Sequence, residues 1–318
     1  MFPDSSPRVA ILLAAYQGAR FIRAQLDSLG AQRHGNWRLV VADDGSDDGT
    51  LRIVRQFARD NPGRDVTLIS GPRQGATRNF LGLVAQVEPG EWLAWCDQDD
   101  VWLPDRLSRG IGALRDRRGP AAHACRTIIC GQDLMPLGAA PLFRRPAGFR
   151  NALVQACLPG NTTLCNAAAA ALMRHAAPAA AAAGVVSHDW WTYQLLTGAG
   201  AAVIRDPAQT VLYRQHPGNV MGRNDTLRGR AARLTQLGKG DYGVWLHANQ
   251  RALTGVHDLL APESRALLDG FGRALRAHGP QAALLLVRLG VYRQTRAGTA
   301  ALLAAALAGR LRDKTPST

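Results

Sequence analysis

The sequence predicts an α/β protein: a mostly parallel sheet flanked by helices over residues 1–222, then a basic helical extension over 223–318. Three observations predict it. Apolar runs alternate in short steps with segments of helical spacing, the signature of βαβ units. The runs are continuous rather than alternating, as strands buried on both faces require. Two of them end abruptly in clusters of carboxylates, and in open α/β sheets ligands gather at the C-terminal ends of the strands.

Taken in order, Arg8–Ala15 is the first strand, broken by Tyr16-Gln17-Gly18. Phe21, Ile22, Gln25, Leu26 and Leu29 then follow helical spacing. Trp37–Ala42 is the second strand and ends in Asp43-Asp44-Gly45-Ser46-Asp47-Asp48-Gly49-Thr50, where Asp47 or Asp48 can cap a helix running to about Arg59. Val66–Ser70 is the third strand, Thr77–Gln86 a helix, Glu91–Cys96 the fourth strand, and Pro104–Arg117 a helix with proline at its start. These elements form a first half over residues 8–118. In the second half, 119–222, His123–Cys130 reads as a strand and the Ala-rich Ala167–Ala183 as a helix broken at Pro178. His188-Asp189-Trp190-Trp191 opens a helix, and Ala201–Ile204 and Thr210–Tyr213 are two short strands.

Composition narrows the function. Apolar residues make up 47% of the 318, enough for a full core, and the formal net charge is +14. The charge is mostly dispersed arginine, without aromatic–basic interleaving or a helix-turn-helix pattern, which argues against nucleic acid as the ligand. An anionic membrane surface or a phosphorylated substrate fits better. No apolar run reaches the roughly 20 residues of a membrane span; Gln281–Leu311 reads as amphipathic helices with a basic face, suited to peripheral attachment. The five cysteines lack paired zinc-site spacing and read as reduced, buried thiols. With the polar opening Met1–Pro7, they predict a cytoplasmic protein.

The chemistry centres on Trp95-Cys96-Asp97-Gln98-Asp99-Asp100-Val101-Trp102, where three carboxylates fall within four residues and no Lys or Arg relieves them in sequence. A hard divalent cation with oxygen ligands makes such a cluster tolerable. Asp97 and Asp99 are two apart on an extended segment and face the same way, so they can converge on one ligand while Gln98 points elsewhere. No phosphate-binding P-loop, G-x-G-x-x-G or G-x-S-x-G sequence is present, which removes the main support for kinase, dinucleotide-dehydrogenase and serine-hydrolase readings. The loop after the first strand is also too poor in glycine for a nucleotidyltransferase.

Five blocks in order resemble the family 2 glycosyltransferases of the GT-A fold, and among them the bacterial rhamnosyltransferases. They are Ala14-Ala15-Tyr16-Gln17-Gly18, the Asp43–Thr50 segment, the Trp95–Trp102 segment, His188-Asp189-Trp190-Trp191, and Tyr213-Arg214-Gln215-His216-Pro217-Gly218-Asn219. The resemblance implies an inverting, metal-dependent transfer from a nucleoside-diphosphate sugar, dTDP-rhamnose or another dTDP- or UDP-sugar, onto a cell-surface glycan or lipid-linked acceptor. It implies that Asp43 or Asp44 accepts the pyrimidine N3–H, that Tyr16 lines the base pocket, and that Asp97 binds the ribose or assists the metal. Asp99 would hold Mg²⁺ or Mn²⁺, His216 would sit near the diphosphate as a further metal ligand or a phosphate donor with Arg214 nearby, and Asp189 would be the general base. Asp189 is otherwise a helix cap, and Trp190 and Trp191 form an apolar platform or core. Arg73 and Arg78, beside Gly75, are further phosphate candidates.

Overall fold

The computed structural model describes residues 6–218 and 241–312. They divide into two compact units. The first holds the chain up to Leu142, Leu158–Ala177 and the strand from Ala201. The second holds Phe143–Cys157, Pro178–Gly200 and the C-terminal helices. The units interleave along the chain.

The first unit is built on β1 (Val9–Ala15), β2 (Trp37–Asp43), β3 (Val66–Ser70) and β4 (Trp92–Cys96), which lie in the order β3-β2-β1-β4 and are parallel throughout. Every residue of β1 and β2 is buried, which is why their sequences are unbroken apolar runs. Helices α1 (Ile22–Gly30), α2 (Thr50–Asp60) and α3 (Ala76–Leu83) make the crossovers. Ile22, Leu26 and Leu29 of α1 and Val54 and Phe57 of α2 share one core with Val9, Ile11, Leu13, Leu39 and Val41. Each such side chain contributes roughly 1.5–3 kcal/mol by leaving water. The parallel register fixes all four C-terminal strand ends on one rim.

Beyond β4 antiparallel strands join the parallel half that the sequence predicts. β5 (Val101–Trp102) leads into α4 (Arg106–Leu114) and β6 (Ala121–Cys130). β7 (Pro136–Ala139), β8 (Thr163–Cys165) and β9 (Ala202–Arg214) complete it. β8 runs antiparallel to both β4 and β6, while β9 runs parallel to β6 and antiparallel to β5. Pro104 precedes α4, and Asp105 rather than the proline stands at its N-cap position.

Two expected interruptions, both at or near a proline, are absent. β9 is one strand, not two: Pro207 sits where the register with β6 shifts between Ala124 and Arg126, and a bulge tolerates the missing N–H. α6 (Ala167–Ala183) runs through Pro178, supported by alanines of high helix propensity and by buried Met173, Ala176, Ala177 and Ala180.

The second unit comprises α5 (Phe149–Ala152), α7 (His188–Gly198), α8 (Asp241–Thr254), α9 (Pro262–Arg276), α10 (Gly279–Leu289) and α11 (Arg296–Leu307). Buried polar contacts lock them together. Tyr193 Oη accepts from Gly148 N–H at 3.1 Å and donates to Asn151 Oδ1 at 3.0 Å. Tyr242 donates to Val154 O at 2.5 Å, and Arg293 donates to the same carbonyl at 2.9 Å. Among the described residues no helix is long and apolar enough to cross a membrane. The start of the basic tail, from Arg223, lies outside the described residues.

The β9 bulge is held by Asp206, which accepts from Arg109 Nε at 2.5 Å and Ala208 N–H at 2.9 Å and meets His123 Nε2 at 3.2 Å. Burial alone would raise the Asp206 carboxyl, but the bonds from Arg109, Ala208 and His123 outweigh it and hold it down at about 2. A depressed carboxyl stabilises the fold above its unfolded pKa and loses that contribution as pH falls through the folded value. Asp206→Asn should therefore cost on the order of 1–2 kcal/mol at neutral pH, discounted for the half-exposed Arg109. In urea denaturation the gap to the parent protein should close as pH falls from about 4 to about 2; a gap independent of pH would exclude this origin.

Candidate active site

Three strand ends of the first unit are stitched into one rim, chiefly by the acidic loop that follows β2. Asp44 N–H donates to Ala15 O at 2.8 Å, linking β2 to β1. Gln17, at φ 49°, donates its N–H to Ser46 Oγ at 2.9 Å and its side-chain amide to Asp47 at 2.7 Å. Gly18 N–H donates to Thr50 Oγ1 at 2.8 Å, and Ala19 N–H donates to Asp48 Oδ2 at 2.9 Å. Burial would raise Asp48, but the bonds from Thr50 and Ala19 outweigh that and keep its carboxyl below the usual range. Asp48 and Thr50 thus build the loop after β1, a role that sequence reasoning missed. Asp48 bonds Thr50 N–H at 3.1 Å, while Gly49, in the left-handed region, occupies the N-cap position of α2.

Gln98 supplies the other stitch. Its Oε1 accepts from Tyr16 N–H at 3.0 Å and its Nε2 donates to Tyr16 O at 2.8 Å, so an amide imitates a paired strand across the end of β1. Gln98 and Asp99 lie in a bend after β4 rather than on the extended segment that the sequence suggests. The Tyr16 side chain is left 57% exposed, standing free of the core at the rim.

Asp43 and Asp44 do different work. Asp43 Oδ2 accepts from Gly45 N–H at 3.1 Å and Ser46 N–H at 2.8 Å, closing a turn, and its Oδ1 is buried. Asp44 reaches across to the loop after β3, accepting from Arg73 N–H at 2.6 Å and Gly75 N–H at 2.7 Å. Arg73 has φ 57°, and its side chain lies over Gly45. A groove of about 530 Å³ opens beside Asp43, lined also by Ser46, Arg55, Ser70 and Arg73. It does not reach the acidic cluster after β4.

At that cluster the tertiary structure brings in what the sequence lacked. His216 Nε2 lies 2.7 Å from Asp99 Oδ2. Gly218 N–H donates to His216 Nδ1 at 3.2 Å, so Nε2 carries the proton and donates to Asp99. Arg214 is buried, and its guanidinium turns inward. Its Nε donates to Asp99 O at 2.8 Å, its Nη1 donates to Gln132 O, and it lies 4.7 Å from the centre of the Phe21 ring. Nε and Nη1 thus brace backbone carbonyls of the acidic turn and of Gln132. Phe21 also packs on His216, ring centres 4.7 Å apart.

Asp100 has no solvent exposure; its Oδ2 accepts from Asn161 Nδ2 at 2.6 Å and its Oδ1 from Arg214 N–H at 3.2 Å. Burial, and then the charges of Asp99 and Asp97, push its carboxyl well above the usual range. It is a structural anchor. Asp97 is half-buried at the end of β4, and its charge acts on Asp100. Beneath the cluster, Arg106 lies 3.4 Å from the Trp102 ring centre and donates to Asn161 O at 3.0 Å. Burial brings it down to about 10.

Asp189 belongs to the second unit. It is half-buried in the first turn of α7, and its Oδ1 accepts from Ser187 Oγ and from Trp190 N–H at 2.7 Å. The cap of this helix is Ser187, not Asp189. Burial brings the neighbouring His188 down to about 4, against the pull of Asp189. Trp190 donates to Ala152 O at 2.7 Å and stacks on Tyr242, and Trp191 is fully buried, so both are core rather than platform.

The Gln98 stitch is directly testable. A Cβ on Gly18 would sit 2.2 Å from Gln98 Oε1. Gly18→Ala must therefore expel the amide and break both bonds to Tyr16, costing roughly 1–3 kcal/mol. Gln98→Ala should cost a similar amount, and the double variant clearly less than the sum, since both remove the same stitch. Strict additivity in chemical denaturation would show that the amide is not what Gly18 accommodates.

Comparison with known proteins places this rim in a family. The family model "Glycosyl transferase family 2" matches residues 10–177, more than half of the chain. The dTDP-rhamnosyl transferase RfbG of Shigella flexneri is 26% identical over 229 residues, covering 70% of this chain and 78% of that one. EpsE of Bacillus subtilis strain 168, named as a glycosyltransferase, is 30% identical over 115 residues, covering 36% of this chain. The chain thus spans only 41% of the length of EpsE. Among solved structures, the mannosyltransferase PcManGT of Pyrobaculum calidifontis, in complex with GDP-Man and Mn²⁺, superposes with a TM-score of 0.52 at 20% identity, over 98% of this chain and 89% of that one. At that identity the likeness is one of fold. The chain belongs to glycosyl transferase family 2.

Proposed function

We propose that the protein transfers a sugar, with inversion, from a nucleoside diphosphate to an acceptor hydroxyl on a cell-surface glycan or lipid-linked saccharide. The carrying observation is the meeting of Asp99 and His216 at a rim that also presents Asp44, Asp97 and Tyr16. Similarity to RfbG and the order of the sequence blocks favour dTDP-rhamnose as donor; another dTDP- or UDP-sugar is the alternative. The five free, buried cysteines suit a reducing compartment, and we place the reaction in the cytoplasm.

Asp44 is assigned to the base. Two backbone N–H groups orient its carboxylate, and each oxygen keeps a lone pair for the imide N–H of a pyrimidine. Asp43 closes the turn that presents it, and exposed Tyr16 covers the base. Asp97 is assigned to the ribose or to support of the metal.

Asp99 and His216 are the residues that would hold Mg²⁺ or Mn²⁺. Among the described residues no group of three or more ligands assembles. Two ligands still fit such a cation, which takes few protein groups and completes its shell from substrate phosphates and water. The Mn²⁺ in the PcManGT complex agrees with this reading. When bound, the ion would stabilise the negative charge of the departing diphosphate. Arg214 holds the Asp99 backbone in place, and the neutral His216 ring would turn its lone-pair nitrogen, not its N–H, to the ion. Asp99→Asn should weaken metal-dependent donor binding at least tenfold, about 1.4 kcal/mol. Calorimetry with donor diphosphate and Mn²⁺ measures this, and unchanged affinity would remove Asp99 from the ligand set.

Asp189 is assigned as general base. Its carboxylate is half-buried and kept from solvent averaging by Ser187 and the Trp190 N–H, an arrangement suited to taking a proton from an incoming hydroxyl. Asp189→Asn should lower turnover about 10²–10⁴-fold with donor binding nearly intact. Its stability cost should stay within roughly 1 kcal/mol, because only a favourable charge in the first helical turn is lost. Near-normal turnover in the folded variant at saturating donor would leave the base unassigned.

A further inference from the structure

The face of α10 turned away from the second unit's core is apolar where a surface helix should be polar. Ala282, Ala283 and Leu286 form its buried side. On the opposite side Leu284 is 49% and Val287 59% exposed, one turn apart, with Arg288 exposed beside them. Ordinary amphipathic helices place charged or polar residues along that stripe. Leu307, 54% exposed, lies at the end of α11. A Cβ on Gly279 would sit 3.1 Å from Leu307 O, so the end of α11 packs against the start of α10. Arg312 meets His278 at the same place, 3.3 Å apart.

The charge on α10 and α11 has one sign, whereas α9 also carries exposed Glu263 and Asp269. From Gly270 to Arg312 the sequence holds seven arginines and no aspartate or glutamate. Arg273, Arg276, Arg288, Arg296, Arg310 and Arg312 are exposed. Arg293 is spent inward on Val154 O and Tyr242. On α10 and α11, exposed aliphatic side chains interspersed with arginine and free of carboxylates match an anionic lipid surface, which takes up Leu and Val at the acyl boundary and pairs arginine with headgroup phosphates. A single-stranded nucleic acid would call for exposed aromatic rings, and the outward residues of α10 include none.

We infer that the α10 face, with Leu284 and Val287 at its centre and the arginines of α9–α11 around it, docks on an anionic bilayer. The attachment is independent of the donor chemistry and would stand if the sugar or acceptor were otherwise. The full chain should co-sediment with vesicles of phosphatidylcholine mixed with phosphatidylglycerol and not with phosphatidylcholine alone, and salt should release it. Leu284→Ser with Val287→Ser should weaken partitioning roughly tenfold or more, because the aliphatic area that enters the interface is lost. Arg288→Gln with Arg296→Gln should weaken it by about as much and flatten the salt dependence. Inorganic phosphate, added at constant ionic strength, should not compete. The inference is overturned by equal partitioning onto neutral and anionic vesicles, by an unaffected Leu284–Val287 double variant, or by displacement with phosphate alone. It is equally overturned if the apolar double variant abolishes self-association of the free chain, which would give the face to a second copy. Circular dichroism of each variant separates these outcomes from loss of fold.

Discussion

A carboxylate sealed from water must find partners, and the partners Asp100 finds organise the first unit. Its two oxygens take the Arg214 N–H of β9 and the Asn161 amide that precedes β8. These bonds tie the turn after β4 to two strands that follow it by more than sixty residues. With Arg214 fixed, its guanidinium braces the Asp99 backbone and lies on Phe21, and His216, two residues on, meets the Asp99 carboxylate. Removing one member of such a buried set leaves the others uncompensated, so the group behaves as a unit.

The rim is rigid for a related reason. Much of the polarity that reads as binding chemistry is spent on backbone. Asp48, Ser46 and Thr50 hold the loop after β1, Asp43 closes its own turn, and Gln98 occupies both backbone groups of Tyr16. Tyr16 stands exposed at this rim, and Asp44 keeps a spare lone pair on each oxygen. A site that must hold a flexible diphosphate gains from this, since fewer groups are left to order on binding.

The second unit follows a different logic. Its segments 143–157 and 178–200 are joined to each other by Tyr193 and Trp190, and 143–157 to the C-terminal part by Tyr242 and Arg293, each placing a polar tip on a backbone group. This gives α7 a firm seat, and with it Asp189. The same helices turn aliphatic residues and arginines outward, so one layer serves as both core and surface.

Much of the first unit was legible in the sequence, because parallel strands buried on both faces must be continuous apolar runs and each such run was found within about two residues. The acidic rim and the order of the motif blocks also followed from local pattern, and with them the family. The break expected at Pro178 misled, since whether a missing N–H is tolerated depends on buried neighbours supplied from elsewhere. The tertiary structure alone decided the mixed half of the sheet, the inward turn of Arg214, the burial of Asp100 and the core role of both tryptophans. The acidic run after β4 shows the reason: in sequence it has no cation beside it, and Arg214 and His216 reach it only when β9 pairs with β5. Strand identity is set by each segment's own side chains, whereas the partner of a charge is set by which distant strand is laid next to it.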